Sequence, residues 1–311
     1  MLFKNKKLAW LFILCSALFI LTGCSGKIEK GVEITDAPTD NRSNKANVLM
    51  PVSPNTTTIG NDSVSIDITN ICEGYITATY SGNSTSVKLQ LTGTDTVTYT
   101  YNISPNIGNV IPLSAGSGDF EVVVYEEIVD SQYATAYSDN FNAQITNEYG
   151  AFLYPNQYVN FTKESKAVSE AEIICADATC DLDAVSKIYN YVVENIEYDH
   201  EEAKTVQPGY LPNVDEVLDS KKGICFDYAA LMACMLRSQS IPTKLQIGYA
   251  GDAYHSWISI YTIDQGWIDS LIEFDGTDWT LMDPTFAANT NSSSLKKFIG
   301  DGNNYSVKYS Y

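Results

Sequence analysis

The hydrophobic period of this chain changes once, near Tyr154, and that change limits what it can fold into. Between residues 62 and 145 apolar and polar side chains alternate in short runs, among them "SVSIDIT", "YITATY", "VKLQL", "TVTYTYNI", "FEVVVYEE" and "YATAYSD". Val, Ile, Thr and Tyr fill the runs, and Gly, Asn, Ser and Asp separate them. A side-chain period of two with turn residues at this spacing predicts antiparallel strands, packed over 62–150 as an all-β, immunoglobulin-like sandwich of about seven strands. That segment holds no His and no catalytic constellation, so it reads as an accessory binding or spacer domain.

After Tyr154 the period becomes helical. In "DLDAVSKIYNYVVENIEYD" Leu182, Val185, Ile188, Val192 and Ile196 form one apolar stripe. "NVDEVLDS" reads as a short helix, and "CFDYAALMACMLRSQS" is apolar nearly all round, as a helix in the middle of a domain must be. Pro242 closes that region, and the strands "TKLQIGY", "SWISIYT", "GWIDSLIEF" and "DWTLMDPTF" follow. Helices first and adjacent strands later predict an α+β domain over 151–311, a helix packed on an antiparallel sheet.

The N-terminus reads as an address. Lys4, Lys6 and Lys7 precede an uncharged apolar run from Leu8 to Leu21, the pattern of a secretory signal over residues 1–23. The run stops at "LTGC", which resembles the bacterial lipobox, with Cys24 as the lipidated residue. A permanent transmembrane anchor is the alternative; either places the remainder at the extracytoplasmic face of a cell membrane. Residues 24–61, rich in Ser, Thr, Asn and charge, are expected to be a disordered tether. The formal charge is −19, and loss of residues 1–23 with their three lysines and no acid makes it −22. So acidic a chain does not bind nucleic acid through its net charge.

Cys225 stands where the buried helix should begin. A free Cys usually packs as a small hydrophobe, whereas a nucleophile needs a lowered pKa, a base in reach and a group that orients the base. A helix N-terminus supplies N–H groups and partial positive charge that favour the thiolate, and the same N–H groups suit a substrate oxyanion. Gly223 leaves room for a substrate to approach the backbone. Of the two histidines, His200 lies in a charged, loop-like segment, whereas His255 opens the strand "HSWISIY". Alternation there puts His255, Trp257, Ser259 and Tyr261 on one strand face. Asp283, before a Pro in "WTLMDPTF", is the candidate orienting acid.

These stretches, "GICFDYAALMACMLRSQSIPTKLQIGY", "HSWISIY" and "WTLMDPTF", together with "YVVENIEYD" and "VLDSKKG", resemble the bacterial transglutaminase-like family, a branch of the papain-like thiol enzymes. The resemblance covers roughly residues 164–290. It implies a papain-like fold, with Cys225 as nucleophile, His255 as base and Asp283 as orienting residue. It further implies attack on an amide carbonyl of a peptide, protein or cell-wall peptide through a thioester, with water or an amine as acceptor. No cofactor and no metal is implied for this chain, which lacks EF-hand-like ligand spacing. A silent binding module that keeps the triad for packing is the alternative.

Other residues carry less. Tyr228, three positions after Cys225, is a candidate for oxyanion assistance or for packing. Trp257 and Trp279 are candidates for cleft walls or for core. Asp227 either complements the helix dipole or opposes thiolate formation. Cys234 falls on the far side of the helix from Cys225 and reads as core. Cys175 and Cys180 are candidates for a disulfide, provided the helix breaks at "ADAT".

Overall fold

A computed structural model describes residues 42–250, 252–263, 265–274, 279–281 and 305–311, which belong to one compact unit. The alternating segment forms β1 (Thr58–Gly60), β2 (Val64–Asp67), β3 (Tyr75–Tyr80), β4 (Val87–Thr92), β5 (Thr98–Ile103), β6 (Asn109–Pro112), β7 (Gly118–Val129) and β8 (Gln132–Ala143). They make two four-stranded antiparallel sheets, ordered β1-β2-β3-β6 and β5-β4-β7-β8. Period two is visible in the burial: along β4, Val87, Leu89 and Leu91 are buried while Lys88, Gln90 and Thr92 are partly exposed. Ile66, Ile76 and Tyr80 of the first sheet and Leu89, Phe120 and Val122 of the second lie in the same core.

Residues 42–57 contain almost no regular structure, yet they are not loose. Arg42 pairs with Asp181 and donates to Gln239 O at 3.1 Å. Asn44 donates to Ala176 O and Ala178 O, the Asn47 amide donates to Ser238 O at 2.7 Å, and Val48 is buried. Farther on, Ser53 and Asn55 donate to the buried Asp67 carboxylate. From Arg42 onward, then, the expected tether is a strap along the folded unit. Its polar composition, which argued for disorder, anchors it by hydrogen bonds, to which Val48 adds apolar burial.

The helical half contains α1 (Lys166–Ile174), α2 (Asp181–Asn195), β9 (Glu197–Tyr198), α3 (His200–Thr205), α4 (Val214–Ser220), β10 (Lys222–Gly223) and α5 (Cys225–Ser238). It continues with β11 (Thr243–Ala250), β12 (Ala253–Thr262), β13 (Gly266–Phe274), β14 (Trp279–Leu281) and β15 (Tyr305–Ser310). On α2 the stripe residues Val185, Ile188 and Val192 are buried. Helix α5 is buried throughout from Asp227 to Ser238, packed against α1, α2 and α4 and against β11 and β12. The sheet runs β14-β13-β12-β11-β15, all antiparallel. Its outermost strand, β15, had no place in the sequence reading. Gly248 admits it: a Cβ there would lie 2.0 Å from Ser306 O, nearer than any side chain tolerates.

Candidate active site

The site begins with the way the chain enters α5. Lys221 takes a left-handed conformation (φ 57°) that ends α4. Lys222 and Gly223 then pair in parallel with Glu197 and Tyr198, and the Asp199 amide donates to Gly223 O at 2.9 Å. Ile224 is the N-cap, which makes Cys225 the first residue of the helix. Asp227 folds back to accept the Ile224 N–H at 2.8 Å, and the Tyr210 hydroxyl donates to its other oxygen at 2.7 Å. Gly223 serves this fold-back, since a Cβ there would stand 2.7 Å from Asp227 Cβ. The space over Gly223 is therefore filled by Asp227 and is not a path for substrate.

Opposing forces act on the half-buried Cys225 thiol. Burial raises its pKa, while donation from the Ser256 N–H and hydroxyl and from the Phe226 N–H lowers it; the negative Asp227 adds a further upward push. Burial wins, and the thiol lies above its ordinary range. The expected helix-end donor is present, but desolvation outweighs it. Asp227 is itself pushed up to about 6, chiefly by burial and against the pull of Tyr210 and the Ile224 N–H. Both titrate away from their usual values because water is kept from them.

Tyr198 is the neighbour that sequence reasoning missed. Pairing of β9 with β10 brings its hydroxyl to Cys225, where it accepts the Cys225 N–H and also meets the thiol. Burial and the Cys225 charge push the phenol up to about 12. Ser256 was equally unmarked, although it sits between the two residues of the His-Ser-Trp stretch that were. Pairing of β12 with β11 sets His255 opposite Gly248 and Ser256 opposite Ile247.

Cys225, His255 and Ser256 line one cleft of about 770 Å³. The β-sheet segment read as a spacer also reaches it, because Thr100 and Asn102 of β5 form part of the wall. Tyr309 and Tyr311, which follow from β15, line it too.

The other expected residues are placed as follows. Asp283 and Cys24 lie outside the described residues. Tyr228 is buried away from the cleft lining, its hydroxyl donating to Ile196 O at 2.6 Å, so it ties α5 to the end of α2. Trp257 is 1% exposed and packs edge-on against Tyr305 at 5.2 Å, as core and not as cleft wall. Cys175 and Cys180 are both free thiols: Cys175 ends α1 fully buried, and Cys180 is the half-exposed N-cap of α2. The inferred break at "ADAT" exists, yet the pair is not joined. Cys234 is fully buried. Among the described residues no three His, Cys, Asp or Glu side chains converge as metal ligands, and no helix is long and apolar enough to cross a membrane.

Comparison with known proteins agrees with the geometry over part of the chain. Residues 170–271 match the Transglutaminase-like superfamily. The chain carries a transglutaminase-like domain. That domain has mixed α and β content. Among solved structures, a presumed cysteine protease from Cytophaga hutchinsonii is 13% identical, with a TM-score of 0.38; the match covers 83% of this chain and 74% of that one. A presumed protease from Parabacteroides distasonis is 16% identical (TM-score 0.29), with 59% of this chain and 37% of that chain covered. Red sea bream transglutaminase is 14% identical (TM-score 0.29), with 68% and 48% covered. No curated protein matches the chain.

Proposed function

We propose that this protein is a thiol enzyme that attacks peptide or side-chain amides, held at the outer face of a cell membrane by lipid on Cys24. The observation that carries the reading is a cysteine at the first position of a buried helix, met by N–H and hydroxyl donors, opening into the same cleft as one of only two histidines. In this reading His255 takes the Cys225 proton, the thiolate attacks the amide carbonyl, and the oxyanion forms at the helix N-terminus. The amine leaves with the proton from His255, which Asp283 orients, and a thioester remains on Cys225. Water then releases the acid. Hydrolysis is preferred over amine transfer, since transfer needs an acceptor site of its own. Substrates are peptides, proteins or cell-wall peptides, and nucleic acid is disfavoured by the charge of −19.

The upward push of burial on Cys225 favours a second reading, a catalytically silent module that binds a protein or cell-wall partner. Iodoacetamide labelling of Cys225 against pH, read by peptide mass in the wild type and in His255→Ala, separates the two. The enzyme reading expects labelling that persists well below pH 7 and weakens in the variant. Labelling only above about pH 8, the range of an ordinary thiol, with the same profile in His255→Ala, would establish the silent module instead.

A further inference from the structure

We propose that the Cys225 cleft takes an uncharged peptide segment, seating aromatic or aliphatic side chains beside the amide under attack and turning away acidic and basic ones. This rests on reading the cleft as the substrate site and names the substrate class for it.

Three observations carry the inference. The first is charge. Although 18% of the chain is charged, no Asp, Glu, Lys or Arg lines the cleft among the described residues. A charged side chain entering it would lose water and meet no carboxylate, ammonium or guanidinium among the described lining residues, which is costly in a partly enclosed site. The second is the lining, to which Tyr158, Phe226, Tyr309 and Tyr311 contribute a cluster of rings backed by Tyr101. Tyr158 stacks on Tyr311 at 3.8 Å between centroids, and Tyr101 meets both edge-on at 5.8 and 6.1 Å. Tyr309 lies beside Tyr311, and Phe226 beside Tyr158. This cluster joins β5 (Tyr101), the segment ahead of α1 (Tyr158), the start of α5 (Phe226) and the last strand with the residue after it (Tyr309, Tyr311), so this part of the wall is a packed aromatic surface. Tyr254, adjacent to His255, completes the lining; its ring meets Tyr249 edge-on at 5.4 Å and remains 58% exposed, an aromatic face open to a ligand.

The third observation concerns the backbone. Strand β5 is at the edge of its sheet and borders the cleft, so an extended peptide would be expected to add to it as a new strand. Three of its backbone groups are already taken. The Gln157 side chain pairs with both the amide and the carbonyl of Asn102, and the Tyr158 hydroxyl donates to Thr100 O at 2.7 Å. With those groups engaged, strand addition there is weakened, and recognition falls to side chains against the rings. A volume of about 770 Å³ falls within the range that holds a ligand of a few residues.

The test separates binding from chemistry. In the full chain carrying Cys225→Ser, calorimetry compares Ac-Phe-Gln-Phe-NH2 with Ac-Glu-Gln-Glu-NH2 and Ac-Lys-Gln-Lys-NH2, which differ only in the residues on both sides of a central glutamine. The Phe peptide should bind at least tenfold more tightly than either charged one. Tyr254→Asp, at a position 58% exposed, should shrink that advantage and favour the Lys peptide, with the urea midpoint of the variant checking that the fold is kept. Equal affinities, preference for a charged peptide, or no binding of the Phe peptide overturns the proposal. Tighter binding of chitotetraose than of the Phe peptide overturns it in favour of sugar stacking on the same rings. Equal affinities beside His255-dependent labelling of Cys225 would remove the substrate class and leave the thiol enzyme standing. A Phe preference beside an ordinary thiol would do the reverse.

Discussion

The two ends of helix α5 treat buried charge in opposite ways. At the C-terminal end Arg237 is 1% exposed and spends its guanidinium on three carbonyls, those of Tyr154, Thr243 and Tyr311, at 2.7–3.0 Å. Burial pulls its pKa down, but each carbonyl accepts from it, and the end is closed. At the N-terminal end Asp227 is also fully buried, yet it accepts only from Ile224 N–H and the Tyr210 hydroxyl and is left with a pKa near 6. Two residues away the Cys225 thiol faces the cleft. One end exchanges all its polar capacity for rigidity, and the other holds ionisable groups poised between states. Such an asymmetry is what a helix needs if one end is to react while the other stays fixed.

Breaking the closed end should have the largest effect. Arg237→Leu removes the guanidinium from the Tyr154 and Thr243 carbonyls, while the Tyr311 oxygen keeps the Leu245 N–H, and the loss costs about 2–5 kcal/mol. Urea denaturation should show a lower midpoint of that size. A loss below about 1 kcal/mol would mean that the carbonyls find other donors and that this end is no more tied than the first.

At the open end the expected effect depends on pH. The folded state raises the Asp227 pKa from 3.8 to about 6, so between those values the folded protein holds the proton more firmly than the unfolded chain. The contribution of Asp227 is therefore fully present below about pH 4 and is lost as pH rises through 6, by on the order of 3 kcal/mol. Asp227→Asn should remove that slope from the stability profile measured by urea midpoints between pH 4 and 7. It should also move iodoacetamide labelling of Cys225 to lower pH, because the carboxylate charge is one of the causes that push the thiol up. An unchanged labelling profile would uncouple the two groups.

These two ends differ in how far the sequence displays them. That α5 is buried follows from a run with no polar face, and the position of Cys225 at its start follows from "KKGIC". That Cys225 and His255 open into one cleft was expected because the motifs stand in family order. Arg237 gave no such sign: its acceptors are 83, 6 and 74 positions away, and no local period encodes that. Strand β15 was missed for the same reason, because its partner is β11, far back in the chain. The wall formed by Thr100 and Asn102 was hidden because alternation reports which residues face a core, and says nothing about which sheet edge borders a site on another segment. Burial explains the thiol pKa in the same way: the helix end is local and readable, whereas desolvation comes from the whole fold.

Tyr198 offers the smallest and sharpest probe of the open end. A two-residue strand is too short to leave a pattern, yet it sets the phenol against both the amide and the thiol of Cys225. Tyr198→Phe keeps the ring and removes only the hydroxyl. Its cost to folding should be about 0.5–1.5 kcal/mol, the net worth of an ordinary hydrogen bond, well below that of Arg237→Leu. Its effect on the thiol is the more informative result. A hydroxyl that donates to the thiolate lowers the pKa of the thiol, so labelling in Tyr198→Phe should shift to higher pH. At the same time the Cys225 N–H, now occupied by the phenol oxygen, becomes free for another acceptor. If acyl transfer uses that amide, a substrate carbonyl must displace the phenol first, and the variant should show a lower KM for an amide substrate while its thiol is harder to ionise. A purely structural role for Tyr198 moves the urea midpoint and neither of these readouts.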